Sequence, residues 1–235
     1  MATKLAPLLC ELHAHTTWSD GLLTPRELCD LYGRAGFDVL AITDHTCDPD
    51  TNVHEALFPD YLAEIESEAE RARRLYDLLV VPGLELTVEH DDPIRAGHAV
   101  ALGLSSFVGV GDGLEEALRA ARAQGAALVA AHPYLPAEAD RSWRRTAAFA
   151  ADPARWAPLL DRFELFNRDT LFAWVAAAKL PGIASGDFHR LEHLATWKTL
   201  LPCAKDLQAV LAYLRSPRPA FLARLDREPA LTRAA

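Results

Sequence analysis

Six of the nine histidines in this 235-residue chain recur, together with carboxylates, at the ends of short apolar runs. His13-Ala14-His15 is followed by Ser19-Asp20-Gly21. Further on come Thr43-Asp44-His45, Glu85, His98, Ala131-His132-Pro133 and Gly186-Asp187-Phe188-His189. Imidazole and carboxylate together suit zinc, manganese or iron, and no thiolate stands at these positions to suggest a soft-metal site. Alternate residues of an extended segment point the same way, so His13 and His15 can face one ion. A single histidine beside a strand is more often a hydrogen-bonded structural residue, and it is the recurrence of the same types that points to a site. His54, His90 and His193 lie mid-helix or in polar stretches and are read as background, and Cys47 is read as a bystander thiol.

The elements that must carry these residues alternate short apolar runs with longer amphipathic stretches, the pattern of repeated β-α units around a mostly parallel sheet. Strands are expected at Leu8–Leu12, Val39–Thr43, Leu78–Pro82, Ala99–Leu104, Ala127–Ala131, Phe163–Phe166, Ile183–Ser185 and Ala220–Leu222, most of them apolar on both faces. The first helix is signalled by Thr24 as cap, Pro25 at the first position and Glu27 completing a capping box. Further helices are expected at Asp60–Tyr76, Gly113–Gln124, Asp169–Ala178 and Lys205–Leu214, with Ala137–Pro158 helical in part. This order points to a β/α barrel, whose functional residues sit at the carboxyl ends of strands. A doubly wound open sheet is the alternative, but neither GxGxxG nor GxxxxGK[ST] occurs.

The motif set, HxH, then TDH, Glu, His, HP and DxH, resembles that of the polymerase and histidinol phosphatase (PHP) superfamily over about Glu11 to Arg190. The resemblance implies a distorted seven-stranded, TIM-like β/α barrel holding two or three divalent ions, usually zinc, manganese or iron. It implies one metal on His13, His15, Glu85 and Asp187, a second on Glu85, His98 and His132, and a third on Asp20, His45 and His189. Glu85 would then bridge two ions, with Glu85, Asp187 and His189 nearest the chemistry. Asp44 would orient a ligating imidazole. His98 is preferred to His90 because it immediately precedes Ala99-Val100-Ala101-Leu102.

The implied reaction is phosphoester hydrolysis by direct attack of a metal-bound hydroxide, consistent with the lack of a GxSxG elbow or a plausible Cys/His pair. Arginine's planar fork matches two phosphate oxygens, which makes Arg168 and Arg190 the candidates for substrate binding. The expected substrate is a small phosphomonoester, nucleotides included. The alternatives are a 3′-5′ exonuclease, an inactive metal-binding regulatory domain and a metal-dependent amide hydrolase.

A net charge of −9 gives no general attraction to nucleic-acid backbones or anionic membranes, so nucleic acid is a disfavoured partner and a membrane is not expected. The four cysteines form no CxxC pair and are read as reduced thiols. The apolar run at the N-terminus is too short for a signal peptide, and a cytoplasmic location is expected. Half the residues are hydrophobic and a quarter charged, which fits a single folded domain over 1–235 with a tail loosely attached after about residue 222. The sequence sets no oligomeric state.

Overall fold

The computed structural model describes residues 6–46, 53–139 and 146–225. Cys47 and the last ten residues lie outside the described residues. In chain order the elements are β1 (Leu8–Glu11), α1 (Pro25–Arg34), β2 (Val39–Ile42), α2 (Phe58–Tyr76), β3 (Leu79–Val88) and β4 (Gly97–Leu102). There follow α3 (Leu114–Ala123), β5 (Ala127–Ala130), α4 (Ala148–Ala151), α5 (Pro153–Trp156), β6 (Arg162–Asn167) and β7 (Thr170–Leu171). The chain continues through α6 (Ala173–Ala177), β8 (Gly182–Ser185), β9 (Trp197–Leu201), α7 (Leu207–Leu214) and β10 (Phe221–Arg224).

The strands form one sheet in the order β10-β9-β1-β2-β3-β4-β5-β6-β7, with β8 paired to β6. The β1-β2-β3 and β5-β6-β8 ladders are parallel, whereas β3-β4-β5 and β10-β9-β1 run antiparallel. This mixed, open sheet corrects the expectation of a TIM-like (β/α)7 barrel: the chain supplies a mixed α/β fold with a strongly curled sheet. The curl is visible in side-chain contacts. Glu164 on β6 touches His13 just past β1, although β1 and β6 lie five places apart in the ladder. An isolated bridge between Ala14 and Phe188 ties the segments that follow β1 and β8.

Both faces of the sheet are apolar because both are covered. Leu40, Leu84, Leu128 and Phe163 face one cluster with Leu28, Tyr32, Ile65 and Leu118 of α1, α2 and α3. Cys10, Val39, Val81, Val100, Val129 and Ile183 face a second cluster with Val210, Leu211 and Leu214 of α7. Each fully buried Leu or Phe contributes about 1.5–3 kcal/mol by leaving water. At the first residue of β6, buried Arg162 donates to the carbonyls of Leu214, Tyr213, Ser216 and Arg218. Those bonds satisfy the carboxyl end of α7 and seat it at the edge of the sheet away from the histidines.

Thr24 caps α1 as the sequence indicates: its hydroxyl accepts from the Glu27 N–H at 3.2 Å, and Glu27 accepts from the Thr24 N–H at 3.0 Å. The expected strand at Leu78–Pro82 runs on to Val88, so Glu85 lies inside a strand and not after one. Gly83 allows this passage, because a Cβ there would meet the Ala101 carbonyl at 2.6 Å. His98 likewise lies inside β4. The helix expected from Asp169 begins at Ala173, since Thr170 and Leu171 pair with β6. Strand β9 was not among those expected.

Candidate metal centre

The strand ends and the middle of β3 bring the histidine and carboxylate strings to one place. At its centre lies Glu85, fully buried. Its Oε1 is 3.1 Å from His98 Nδ1 and 3.1 Å from His132 Nε2. Its Oε2 is 3.3 Å from His13 Nε2, 3.3 Å from His15 Nε2 and 3.0 Å from His45 Nδ1. None of those last three contacts has hydrogen-bond geometry, so Oε2 is a buried carboxylate oxygen without a donor. His13 Nε2 and His15 Nε2 also face each other at 3.1 Å. Imidazole nitrogens crowding one another and an orphaned carboxylate oxygen is the arrangement expected where a cation belongs among them.

Three sets of side chains could each hold an ion: His13, His15 and Asp187; His45, Glu85 and His98; and His15, Asp20, His45 and His189. Among the described residues these sets take in eight of the nine metal-site residues read from the sequence, and the ninth, His132, meets Glu85 Oε1 at 3.1 Å. Their grouping differs from the one the resemblance implies. His15 and His45 each belong to two sets, and His132 reaches the cluster through the Oε1 of Glu85.

Neighbouring side chains orient His13 and His45. His13 Nδ1 meets Glu164 Oε1 at 2.9 Å, and His45 Nδ1 also lies 2.8 Å from the Thr87 hydroxyl. Asp44 accepts from the Thr16 N–H at 2.8 Å, the Thr16 hydroxyl at 2.8 Å and the Ser19 hydroxyl at 2.6 Å. Ser19 in turn is 3.4 Å from His15 Nδ1. Asp44 thus acts on an imidazole through Ser19, and mainly fixes the loop that carries Asp20. Among the described residues, His132, Arg168 and Asp187 are three of the five non-glycine positions with positive φ, at 29°, 52° and 42°. Such backbone persists where the surroundings over-determine it, and it concentrates at functional sites.

The electrostatics are those of a cluster that binds charge. Burial alone would raise the Glu85 carboxyl, yet the imidazoles of His45, His13 and His132 hold it well below the usual range. Asp187 behaves alike, with His13, His15, His189 and Arg168 outweighing its burial. Asp20, more exposed, is held low by His189, His15 and His45 against partial desolvation. Burial would lower His13, but Glu85, Asp187 and Glu164 raise it well above the ordinary imidazole value.

The arginines divide. Arg168 donates to the Asp187 carbonyl at 3.0 Å and to its carboxylate at 3.0 Å. Arg190 extends outward, 63 % exposed, with Glu192 at 3.8 Å. Both line a cavity of about 300 Å³ with Asp20, Leu22, His189 and His193. His193, read as background, accepts from the His189 N–H at 3.1 Å and borders that cavity. His90 instead accepts from the Asp92 N–H at 2.9 Å in an exposed turn, in keeping with its polar stretch.

Three residues without a motif complete the site. Glu164 contacts His13, Ser185, Asn167 and the His132 N–H. Glu11 pairs with Lys198 at 2.8 Å, both fully buried, and accepts from the Gly186 N–H at 2.8 Å. These bonds tie β1 and β9 to the strand end that presents Asp187. A Cβ on Gly186 would lie 2.3 Å from Glu11 Oε2 and from Lys198 Nζ, so any side chain there would have to displace this buried ion pair.

No family model matches the chain. A stretch of 100 residues is 27 % identical to the DNA polymerase/3′-5′ exonuclease PolX of Bacillus subtilis (strain 168), covering 40 % of this chain and 17 % of that protein. The chain therefore spans only about a sixth of that relative's length. Over 96 % of its length the chain superposes, with a TM-score of 0.70 and 20 % identity, on 68 % of a two-domain protein from Bacteroides vulgatus that contains a predicted PHP-like metal-dependent phosphoesterase. It also matches a provisionally assigned metal-dependent phosphoesterase of Bifidobacterium adolescentis, with a TM-score of 0.52 and 18 % identity, covering 77 % of this chain and 87 % of that one. At such identities the likeness establishes the fold. Among the described residues no helix is long and apolar enough to cross a membrane.

Proposed function

We propose that this chain, which shares the fold of PHP-like metal-dependent phosphoesterases, is a hydrolase that uses divalent metal ions to cleave a small phosphomonoester, nucleotides among the candidates. The observation that carries the reading is Glu85 Oε2, buried without a hydrogen-bond donor among three imidazole nitrogens at 3.0–3.3 Å. His13, His15 and Asp187 would hold one ion. His45, Glu85 and His98 would hold a second, with His132 beside Glu85. His15, Asp20, His45 and His189 would suit a third. Zinc, manganese and iron all accept this donor set.

Bound divalent ions supply charge neutralisation for phosphate oxygens and make a water nucleophilic at neutral pH. The chain's own residues arrange the rest. Arg190, exposed over the cavity, is placed to meet phosphate oxygens with its planar fork. Arg168 steadies Asp187 and borders the same cavity. Exposed Leu22 offers an apolar wall for the remainder of the substrate.

The similarity to PolX favours a second reading, removal of terminal nucleotides from a nucleic acid. A cavity of about 300 Å³ and a net charge of −9 fit a small substrate better than a strand. Assaying nucleotides, sugar phosphates and labelled oligonucleotides with zinc or manganese separates the two. The wild type is expected to release phosphate from one of the small esters, and Glu85→Gln to lose turnover together with at least one ion. Inertness of the metal-loaded wild type on every ester, or full activity in Glu85→Gln, would overturn the proposal.

A further inference from the structure

The phosphoesterase reading leaves unused a fully buried glutamate, Glu164 on β6. Its Oε1 meets His13 Nδ1 at 2.9 Å and the Ser185 hydroxyl. Its Oε2 meets the His132 N–H at 2.7 Å and the Asn167 side-chain amide at 2.8 Å. Four donors thus converge on the four acceptor positions of one carboxylate. The two histidines it touches stand 119 residues apart in sequence, and each also contacts Glu85.

Each contact has a geometric consequence. With Nδ1 held as the donor to Glu164, the nitrogen His13 can free for a cation is Nε2, which lies 3.3 Å from Glu85 Oε2 and 3.8 Å from Asp187 Oδ1. His132 carries φ +29°, a sparsely populated backbone for a residue with a side chain. The bond from its N–H to Glu164 supplies a restraint that such a conformation needs.

We propose that Glu164 is a positioning residue that fixes the His13 tautomer and the His132 backbone together, so that ligands from two parts of the centre present their nitrogens at once. This inference rests on the metal-dependent reading above. The chemistry follows from substituting glutamine. The His132 N–H is a backbone donor that cannot reverse, so the Gln carbonyl oxygen must face it. The Gln NH₂ then faces His13 and Ser185. The Ser185 hydroxyl can turn to accept. His13 must offer a bare Nδ1, which moves its hydrogen to Nε2 and blocks the nitrogen that points at the metal site. A glutamate serving only to fill space would tolerate this isosteric change.

The test compares full-length wild type, Glu164→Gln and His13→Ala, each stripped with chelator and titrated with Zn²⁺ by calorimetry at fixed pH. Glu164→Gln is expected to keep the wild-type circular dichroism spectrum while its tightest zinc site weakens about 10–100-fold, the usual cost of losing such a partner. Long-range ¹H–¹⁵N spectra should show His13 protonated on Nδ1 in the zinc-loaded wild type and on Nε2 in the variant. The wild-type spectrum decides even if the variant fails to fold, because zinc coordinated through His13 Nδ1 contradicts the proposal. Unchanged zinc affinity in Glu164→Gln alongside a loss in His13→Ala overturns the positioning role and leaves the metal reading standing. A wild type that binds neither Zn²⁺ nor Mn²⁺ in such titrations ends both.

Discussion

Raising the pH of the metal-free protein should destabilise it. Burial would push the His98 imidazole down, but Glu85 at 3.1 Å and Glu89 at 3.4 Å raise it from 6.5 to about 9. A raised folded value means that the contribution is complete below the unfolded value of 6.5 and is lost as pH climbs through about 9. One pKa unit is worth about 1.4 kcal/mol, so His98 alone removes about 2 kcal/mol between pH 6.5 and about pH 8.5. His13 and His189 are raised as well and act in the same direction. His193, lowered to about 4, titrates below this window, and buried Cys29, raised to about 12, disturbs it only above pH 9. Urea unfolding of chelator-stripped protein at the two pH values measures the loss. The same protonation opposes metal binding: at pH 7 removing the His98 proton lowers affinity roughly a hundredfold. Zinc calorimetry in buffers of different ionisation enthalpy should therefore register at least one proton released per protein. Stability that stays flat or rises between these pH values, with no proton release, would refute the reasoning.

Replacing Lys198 by Met leaves the Glu11 carboxylate buried beside Tyr32 and backbone amides without its cation, and should cost about 3–5 kcal/mol in chemical denaturation; the further change Glu11→Gln should restore part of it, and a loss below 1 kcal/mol contradicts the account. Zn²⁺ at about a hundred times its Kd should add about 2.7 kcal/mol to unfolding and raise Tm, and an unchanged Tm on adding zinc to stripped protein would count against a folded-state site. Thr24→Ala removes the capping box of α1 and should cost about 1 kcal/mol by thermal unfolding, with metal binding unaltered because α1 carries no ligand.

The candidate ligand residues were legible because metal chemistry restricts residue type, and strand ends concentrate what they carry. His13, Asp20, His45, His132 and Asp187 each stand in a short string that says as much. The residues that orient them were not legible. Glu164 sits in Arg162-Phe163-Glu164-Leu165-Phe166-Asn167, where nothing local distinguishes a buried carboxylate from an exposed one; its partners are 151 residues away at His13 and 32 at His132. Lys198 hid β9 for the same reason. A lysine in Trp197-Lys198-Thr199-Leu200-Leu201 reads as a surface residue until Glu11, distant in the chain, neutralises it. Pro82 and Gly83 read as a strand end, but β3 continues through them and carries Glu85 into the sheet. Strand direction was also beyond the local pattern: apolar runs covered on both faces look alike whether parallel or antiparallel, so β3-β4-β5 was taken for part of a barrel.

Widely separated imidazoles and carboxylates are proposed to grip divalent ions around Glu85. Anomalous diffraction from crystals of the wild-type protein loaded with manganese or zinc tests it most directly. The account predicts peaks among His13, His15 and Asp187 and among His45, Glu85 and His98, within bonding distance of those side chains. Crystals grown with excess metal that show no anomalous signal there, or show it only at surface carboxylates, would contradict it.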